Sequence, residues 1–146
     1  MPEACCVFGR PAPGCRFRQL GEIYLLAGQP AEAFAHAHQA LGLARDRKQR
    51  AFEALTLRLL ATIAACPDRF EPETGEVHAR QALALATELQ MRPLVAHCHL
   101  DLGMLQRRGG KLAEAREDIA TAMAMFEAMG MTAWREKAEA ELHDCA

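Results

Sequence analysis

The chain contains no serine, and only 5% of its 146 residues are aromatic. The first absence removes the commonest hydroxyl nucleophile, and none of the six cysteines, at 5, 6, 15, 66, 98 and 145, stands in a local catalytic signature. An excess of either charge is also missing: 17 basic against 19 acidic residues leave a net charge of −2. A binder of nucleic acid or of an anionic membrane needs a strong basic field, so neither partner is expected. No stretch escapes charge long enough to span a bilayer, and the N-terminus carries Arg10 without an apolar core of signal-peptide length. The expectation is a cytoplasmic protein with reduced thiols, in which Cys98 is a small core residue. Runs of β-branched residues are scarce, whereas Ala and Leu dominate a composition that is 51% hydrophobic. That balance argues against disorder and favours helix over strand.

What is present is a unit that occurs three times. A small residue on one helix stands at Gly21, Ala61 and Gly103, and an Ala followed by a large apolar residue follows at Ala40-Leu41, Ala82-Leu83 and Ala122-Met123. The first marker advances by 40 and then 42 residues, the second by 42 and then 40. A period of this length predicts a solenoid of stacked helical units, an architecture that usually binds and does not catalyse.

Residues 1–14 hold three prolines, two glycines and no helical period, and are expected to be a flexible lead-in to a repeat domain spanning 15–146. From Phe17, the residues Leu20, Gly21 and Tyr24 recur at helical spacing until Gly28, and Pro30 opens a second helix through Ala33, Ala37, Ala40 and Leu41. The second unit runs from near Arg50 to Cys66, where Pro67 ends it, and its partner helix is predicted from Pro72 or Glu73 to about Gln90. Two extra residues are assigned to its turn, an irregular edge at 67–72. Pro93 opens the third unit, Gly109-Gly110 closes its first helix, and Leu112, Ala115, Ile119, Ala122 and Phe126 define the partner. After Gly130, Thr132 is expected to cap a last helix through Trp134, Ala138 and Leu142, its outer face charged as a terminal repeat requires. The repeats are placed at about 15–48, 49–91 and 92–130, with the cap at 131–143.

Leu20-Gly21 with Tyr24, then Gly28, Glu32-Ala33 and Ala40-Leu41, resemble a tetratricopeptide repeat, as do Leu102-Gly103, Gly110, Glu114-Ala115 and Ala122. The middle unit departs from the pattern, with Ala61 at the glycine position and a longer turn. The resemblance implies an all-α fold: a right-handed superhelix of three antiparallel helix pairs plus a C-terminal capping helix. The unit exceeds the usual 34 residues. More narrowly, the stretch Arg92-Pro93-Leu94-Val95-Ala96-His97-Cys98-His99-Leu100, with Met129-Gly130-Met131-Thr132-Ala133-Trp134, resembles the C-terminal repeat tail of bacterial class III adenylate or guanylate cyclases and AAA-type ATPase signalling proteins. Such tails sense or dock while other domains do the chemistry.

Chemical sites are argued down one by one. Gly109-Gly110-Lys111 is no phosphate loop, because Leu105 and Leu112 replace the required Gly and Ser or Thr. His97, Cys98 and His99 point about 100° apart on a helix and cannot converge on one metal ion, so a structural contact between His97 and Asp101 is the expectation. No enzyme activity, cofactor or metal is predicted. The basic clusters Arg45, Arg47, Lys48 and Arg50, and Arg107, Arg108 and Lys111, read as solvated helix ends. Redox chemistry at Cys5, Cys6 or Cys15 depends on their exposure and thiolate content.

The tetratricopeptide likeness implies that first helices line a concave groove. It turns Arg18, Glu22, Leu25, Leu55, Arg58, Leu59, Thr62, His97, Leu100, Asp101, Met104 and Arg107 towards a protein or peptide partner, with Arg58 and Met104 as leading anchors. The groove is expected to run continuously through Gly21, Ala61 and Gly103. A chaperone-type carboxylate clamp is not implied, since Glu22, Leu59 and Asp101 stand where it needs Asn, Asn and a cation. The alternative reading is a detached regulatory tail that docks on a cyclase or ATPase domain or associates with itself.

Overall fold

A computed structural model describes residues 6–7, 10–11 and 13–145. Seven α-helices follow one another among these residues: α1 (Pro13–Leu26), α2 (Pro30–Asp46), α3 (Arg50–Ala64), α4 (Pro72–Glu88), α5 (Arg92–Arg108), α6 (Leu112–Ala128) and α7 (Thr132–His143). Ahead of α1, strands β1 (Cys6–Val7) and β2 (Arg10–Pro11) pair antiparallel, with Cys6 opposite Pro11. Each helix packs mainly on its neighbours in sequence, giving three helix pairs closed by α7; α1 also touches α3, and α3 touches α5. Helix α1 begins at Pro13, earlier than the apolar spacing from Phe17 implied.

The long period has a simple origin. Helices α2, α4, α5 and α6 are each 17 residues long. Five of the six connections are three residues, so helix plus joint repeats every 20 residues. Each of those five joints closes the same way. The residue after the turn donates its N–H to a carbonyl five back, as Gln29 to Tyr24, Gln49 to Ala44, Met91 to Ala86, Lys111 to Gln106 and Met131 to Phe126, at 2.8–2.9 Å. This satisfies a carbonyl that the helix end would leave bare. The turn needs a positive φ, which Gly28, Gly110 and Gly130 supply without steric cost, while Lys48 and Gln90 adopt it at 55° and 57°. Met131 occupies the cap position of α7 and Thr132 is its first helical residue, with no side-chain cap bond. A backbone joint already fixes the chain there, so the expected threonine cap is not used.

The α3–α4 connection is the exception. Helix α3 stops at Ala64 after 15 residues, and residues 65–71 form the link, including a 3-10 turn at Pro67–Arg69. The two extra residues of the middle unit are therefore the balance of a shortened helix and a link four residues longer than the others. Pro67 cannot donate a helical hydrogen bond and forces Cys66 into an extended conformation, which ends α3.

The pairs approach closely where small residues face each other. A Cβ on Gly103 would lie 2.5 Å from Cγ1 of Ile119 and 3.1 Å from the Ala115 carbonyl oxygen, and one on Gly21 would lie 3.1 Å from Leu59 and 3.3 Å from the Ala33 carbonyl. In the middle pair Ala61 is fully buried, and the tight position moves to α4. There a Cβ on Gly75 would stand 3.0 Å from Ala64 Cβ and 3.1 Å from Leu105. Gly21, Ala61 and Gly103 thus face second helices inside the stack, which corrects the expectation that the groove runs through them. Three apolar clusters fill the interior, one around Leu57, Leu60 and Ile63, one around Ile119, Phe126 and Ala138, and a smaller one of Ala61, Ala79, Leu102 and Leu105, and each fully buried Leu, Ile or Phe contributes about 1.5–3 kcal/mol.

Candidate functional site

The first helices bring part of the predicted groove together. Residues Arg18, Glu22, Leu25 and Leu26 of α1 face Leu55, Arg58, Leu59 and Thr62 of α3 across a cleft of about 330 Å³. Seven of these eight are groove residues read from the sequence; Leu26 is the addition. It was missed because it closes α1, yet it is 89% exposed. Four leucines and four polar residues, Arg18, Glu22, Arg58 and Thr62, share the lining. Arg18 pairs with Glu22 one turn on, and its guanidinium carbon stands 5.6 Å from the Phe52 ring centroid. The Thr62 hydroxyl donates to the Arg58 carbonyl at 3.1 Å. Leu59, at 7% exposure, forms the cleft floor more than its wall.

Arg58 marks the inner limit of the cleft. Its Nε donates to Asp101 Oδ2 of α5 at 2.6 Å, joining the second and third first-helices. Burial pushes the Asp101 carboxyl above the usual carboxylate range, and the Arg58 guanidinium opposes that shift. Asp101 therefore bonds Arg58 and not His97, correcting the expected contact within α5. The histidine that does meet a carboxylate is His99, whose Nδ1 lies 2.8 Å from Asp118 Oδ1 on α6. Intrahelical spacing favoured His97 because partners on other helices are invisible to it.

In the C-terminal half of the predicted groove the side chains are engaged in packing and ion pairs. Leu100 is 1% exposed and belongs to the core, because its face of α5 turns onto the second cluster. His97 sits edge-on to Phe126 at 5.1 Å and to Trp134 of α7 at 4.3 Å between ring centroids. Burial lowers its pKa to about 4, with Arg58 and Lys137 adding repulsion, so its imidazole is neutral at neutral pH. Met104 packs on the same cluster as Trp134 and Leu142. Arg107 forms an ion pair with Glu141 at 2.9 Å and donates to Asp144 at 3.4 Å. The capping helix thus engages three residues assigned to a ligand.

The basic clusters are solvated, as expected, and several of their members also pair. Arg50 forms two bonds to Glu88 at 2.9 and 2.6 Å, Arg45 bonds Glu53 at 2.9 Å, Lys111 reaches both oxygens of Glu76 at 3.1 Å, and Arg108 donates to the Ala65 carbonyl. Most of these contacts tie one unit to the next. Cys98 is fully buried, and burial pushes its thiol up to about 12, as befits a core residue. Cys15 is 2% exposed within α1, which removes the accessibility its redox role required, while Cys5 and the Cys6 side chain lie outside the described residues. Among the described residues no group of three His, Cys, Asp or Glu side chains could hold a metal ion, and no helix is long and apolar enough to cross a membrane.

No family model and no curated protein matches the chain. Among solved structures, the apo form of RapI is similar, with a TM-score of 0.83 at 17% identity over 91% of this chain and 48% of RapI. The chain spans about half the length of that protein. At this identity the likeness concerns the fold, and with the repeated joints and sequential packing it makes this chain a helical repeat protein of tetratricopeptide-like architecture.

Proposed function

We propose that the protein is a non-enzymatic interaction module that holds a protein segment in the cleft between α1 and α3. One observation carries this reading: a cleft of about 330 Å³ between consecutive first helices of the stack, lined by four leucines together with Arg18, Glu22, Arg58 and Thr62. That volume is at the small end of ligand pockets and suits one or two apolar side chains of a peptide or helix, with the rim pairs at Arg18 and Glu22 serving polar neighbours. Arg58 is a structural tie to Asp101 in this scheme and Met104 a packing residue, so the leading anchors become Leu25, Leu26 and Leu55. A cyclase or AAA-type ATPase domain, implied by the sequence resemblance, is the candidate source of the segment.

Binding is tested by titrating fluorescent amphipathic peptides, taken from proteins that copurify with the chain, against wild type and Leu55→Glu. A charge in the apolar wall is expected to weaken binding about 100-fold, the cost of burying an unpaired carboxylate at the contact. Equal affinity for both proteins, with helical content unchanged, refutes the cleft as the site.

A further inference from the structure

The cleft between α1 and α3 holds two guanidinium groups, Arg18 and Arg58, and one carboxylate, Glu22. The two arginines are 40 residues apart, as are Gly21 and Ala61, so they occupy one place in successive units and stand at one level of the cleft. Leu55, three residues before Arg58, lies about 4.5 Å along the helix to one side of that level, and Leu25, seven after Arg18, about 10 Å to the other. Few of the arginine donors have acceptors. Arg18 bonds Glu22 through Nη1, while its Nε is buried without a hydrogen-bond partner, the guanidinium lying against the Phe52 ring. Arg58 uses Nε on Asp101, outside the lining, and its two terminal nitrogens make no bond among the described residues. The Thr62 hydroxyl donates to the Arg58 carbonyl and so is turned to the backbone.

On the reading that this cleft is the binding site, we propose that it takes a peptide segment with an internal Asp or Glu. The carboxylate sits between Arg18 and Arg58, and apolar neighbours on its two sides pack on Leu55 and Leu25. A carboxylate supplies two acceptor oxygens to the paired N–H groups of a guanidinium, in the fork geometry that binds arginine best. A buried donor without an acceptor costs free energy, so Arg18 gains by turning from Phe52 onto such a group. Glu22 is the internal competitor, a half-exposed carboxylate on Arg18 that the ligand acid displaces. A basic side chain at this level would meet two guanidinium groups with only Glu22 to receive it. A terminal carboxylate would leave one leucine uncovered, because apolar surface flanks the arginines on both sides.

The test is selection of random peptides of about 12 residues, displayed on phage, by the full chain; fusion through their C-termini ensures that no terminal carboxylate is offered. Peptides whose capture is lost in Leu55→Gln, which alters the wall without adding charge, are expected to share an Asp or Glu between apolar residues. Changing that acid to its amide weakens binding to wild type about 10-fold in fluorescence anisotropy, and changes little for Arg18→Gln. Arg18 is the residue varied because Arg58 also carries the bond to Asp101. Glu22→Gln removes the competitor and tightens binding of the acidic peptide, and Arg18→Glu transfers the preference to a peptide with Lys in that place. Melting curves verify that each variant is folded. Leu55-dependent peptides that lack the acid, or an acid whose loss costs as much in Arg18→Gln as in wild type, overturn the proposal and leave the cleft reading intact. If no selected peptide depends on Leu55, the cleft reading falls and the proposal with it.

Discussion

Replacing Gly103 by alanine tests the helix crossing on which the stack depends. The added Cβ would fall 2.5 Å from Ile119 Cγ1, and Ile119 is fully buried. That atom is on the branched stem of a stiff side chain, and the Ala115 carbonyl oxygen at 3.1 Å blocks retreat on the other side, so α5 and α6 must separate. Overpacking of this kind costs about 1–3 kcal/mol, but exchanging glycine for alanine inside a helix also returns about 1 kcal/mol. Gly42 isolates the second contribution: it lies within α2, is exposed, and a Cβ there meets nothing within 4 Å. Gly42→Ala is therefore expected to stabilise by about 1 kcal/mol, and Gly103→Ala to fall below it by about 1–3 kcal/mol, or roughly 3–10 °C in melting temperature. Thermal and urea unfolding followed by helical circular dichroism reads both. If the two variants unfold together, the crossing is looser than the geometry requires and the close-approach argument fails.

Lys48→Gly and Gln90→Gly should each stabilise by about 0.5–1 kcal/mol in urea unfolding, because both side chains sit at positive φ in joints that elsewhere use glycine. Arg58→Ala strands the Asp101 carboxylate and is expected to cost about 1–3 kcal/mol, with a double-mutant cycle against Asp101→Asn showing a coupling that vanishes if the pair is mere surface contact. The folded His97 pKa of about 4 lies below the unfolded value near 6.5, so the folded state binds fewer protons between them. Stability present above about pH 6.5 is then lost as pH falls towards 4, and His97→Phe should flatten that slope, leaving the smaller part due to His78, which burial also shifts down. A slope unchanged in His97→Phe would refute the neutral, buried imidazole.

The helices and their joints were legible because their signals are local. Gly28, Gly110 and Pro30 act through their own φ and their own missing or permitted contacts. The tight position at Gly75 was not legible: it is a glycine in a helix, and only its distances to Ala64 and Leu105 show how closely α4 is approached there. The groove was read as one surface because the tetratricopeptide likeness implies one, but α7 brings Trp134 and Glu141 onto the third first helix. Asp101 likewise looked like a partner for His97 by spacing, whereas Arg58, 43 residues earlier in the chain, makes the bond. Contacts between units depend on the stack's curvature, which no local pattern encodes.

The exchange of glycine and alanine between the two helices of the middle pair bears on how such a chain can be assembled from spare parts. In the outer pairs the first helix brings the glycine, at Gly21 and Gly103, against Ala33 and Ala115; in the middle pair the second helix brings it, at Gly75. A recombinant that joined α3 to α6 would set the Ala61 side chain in the place where a Cβ at Gly103 meets Ile119 at 2.5 Å, and force the helices apart. The helices are alike in outline, yet each is fitted to one mate. The smallest piece that can be duplicated, transplanted or inherited intact is therefore the hairpin.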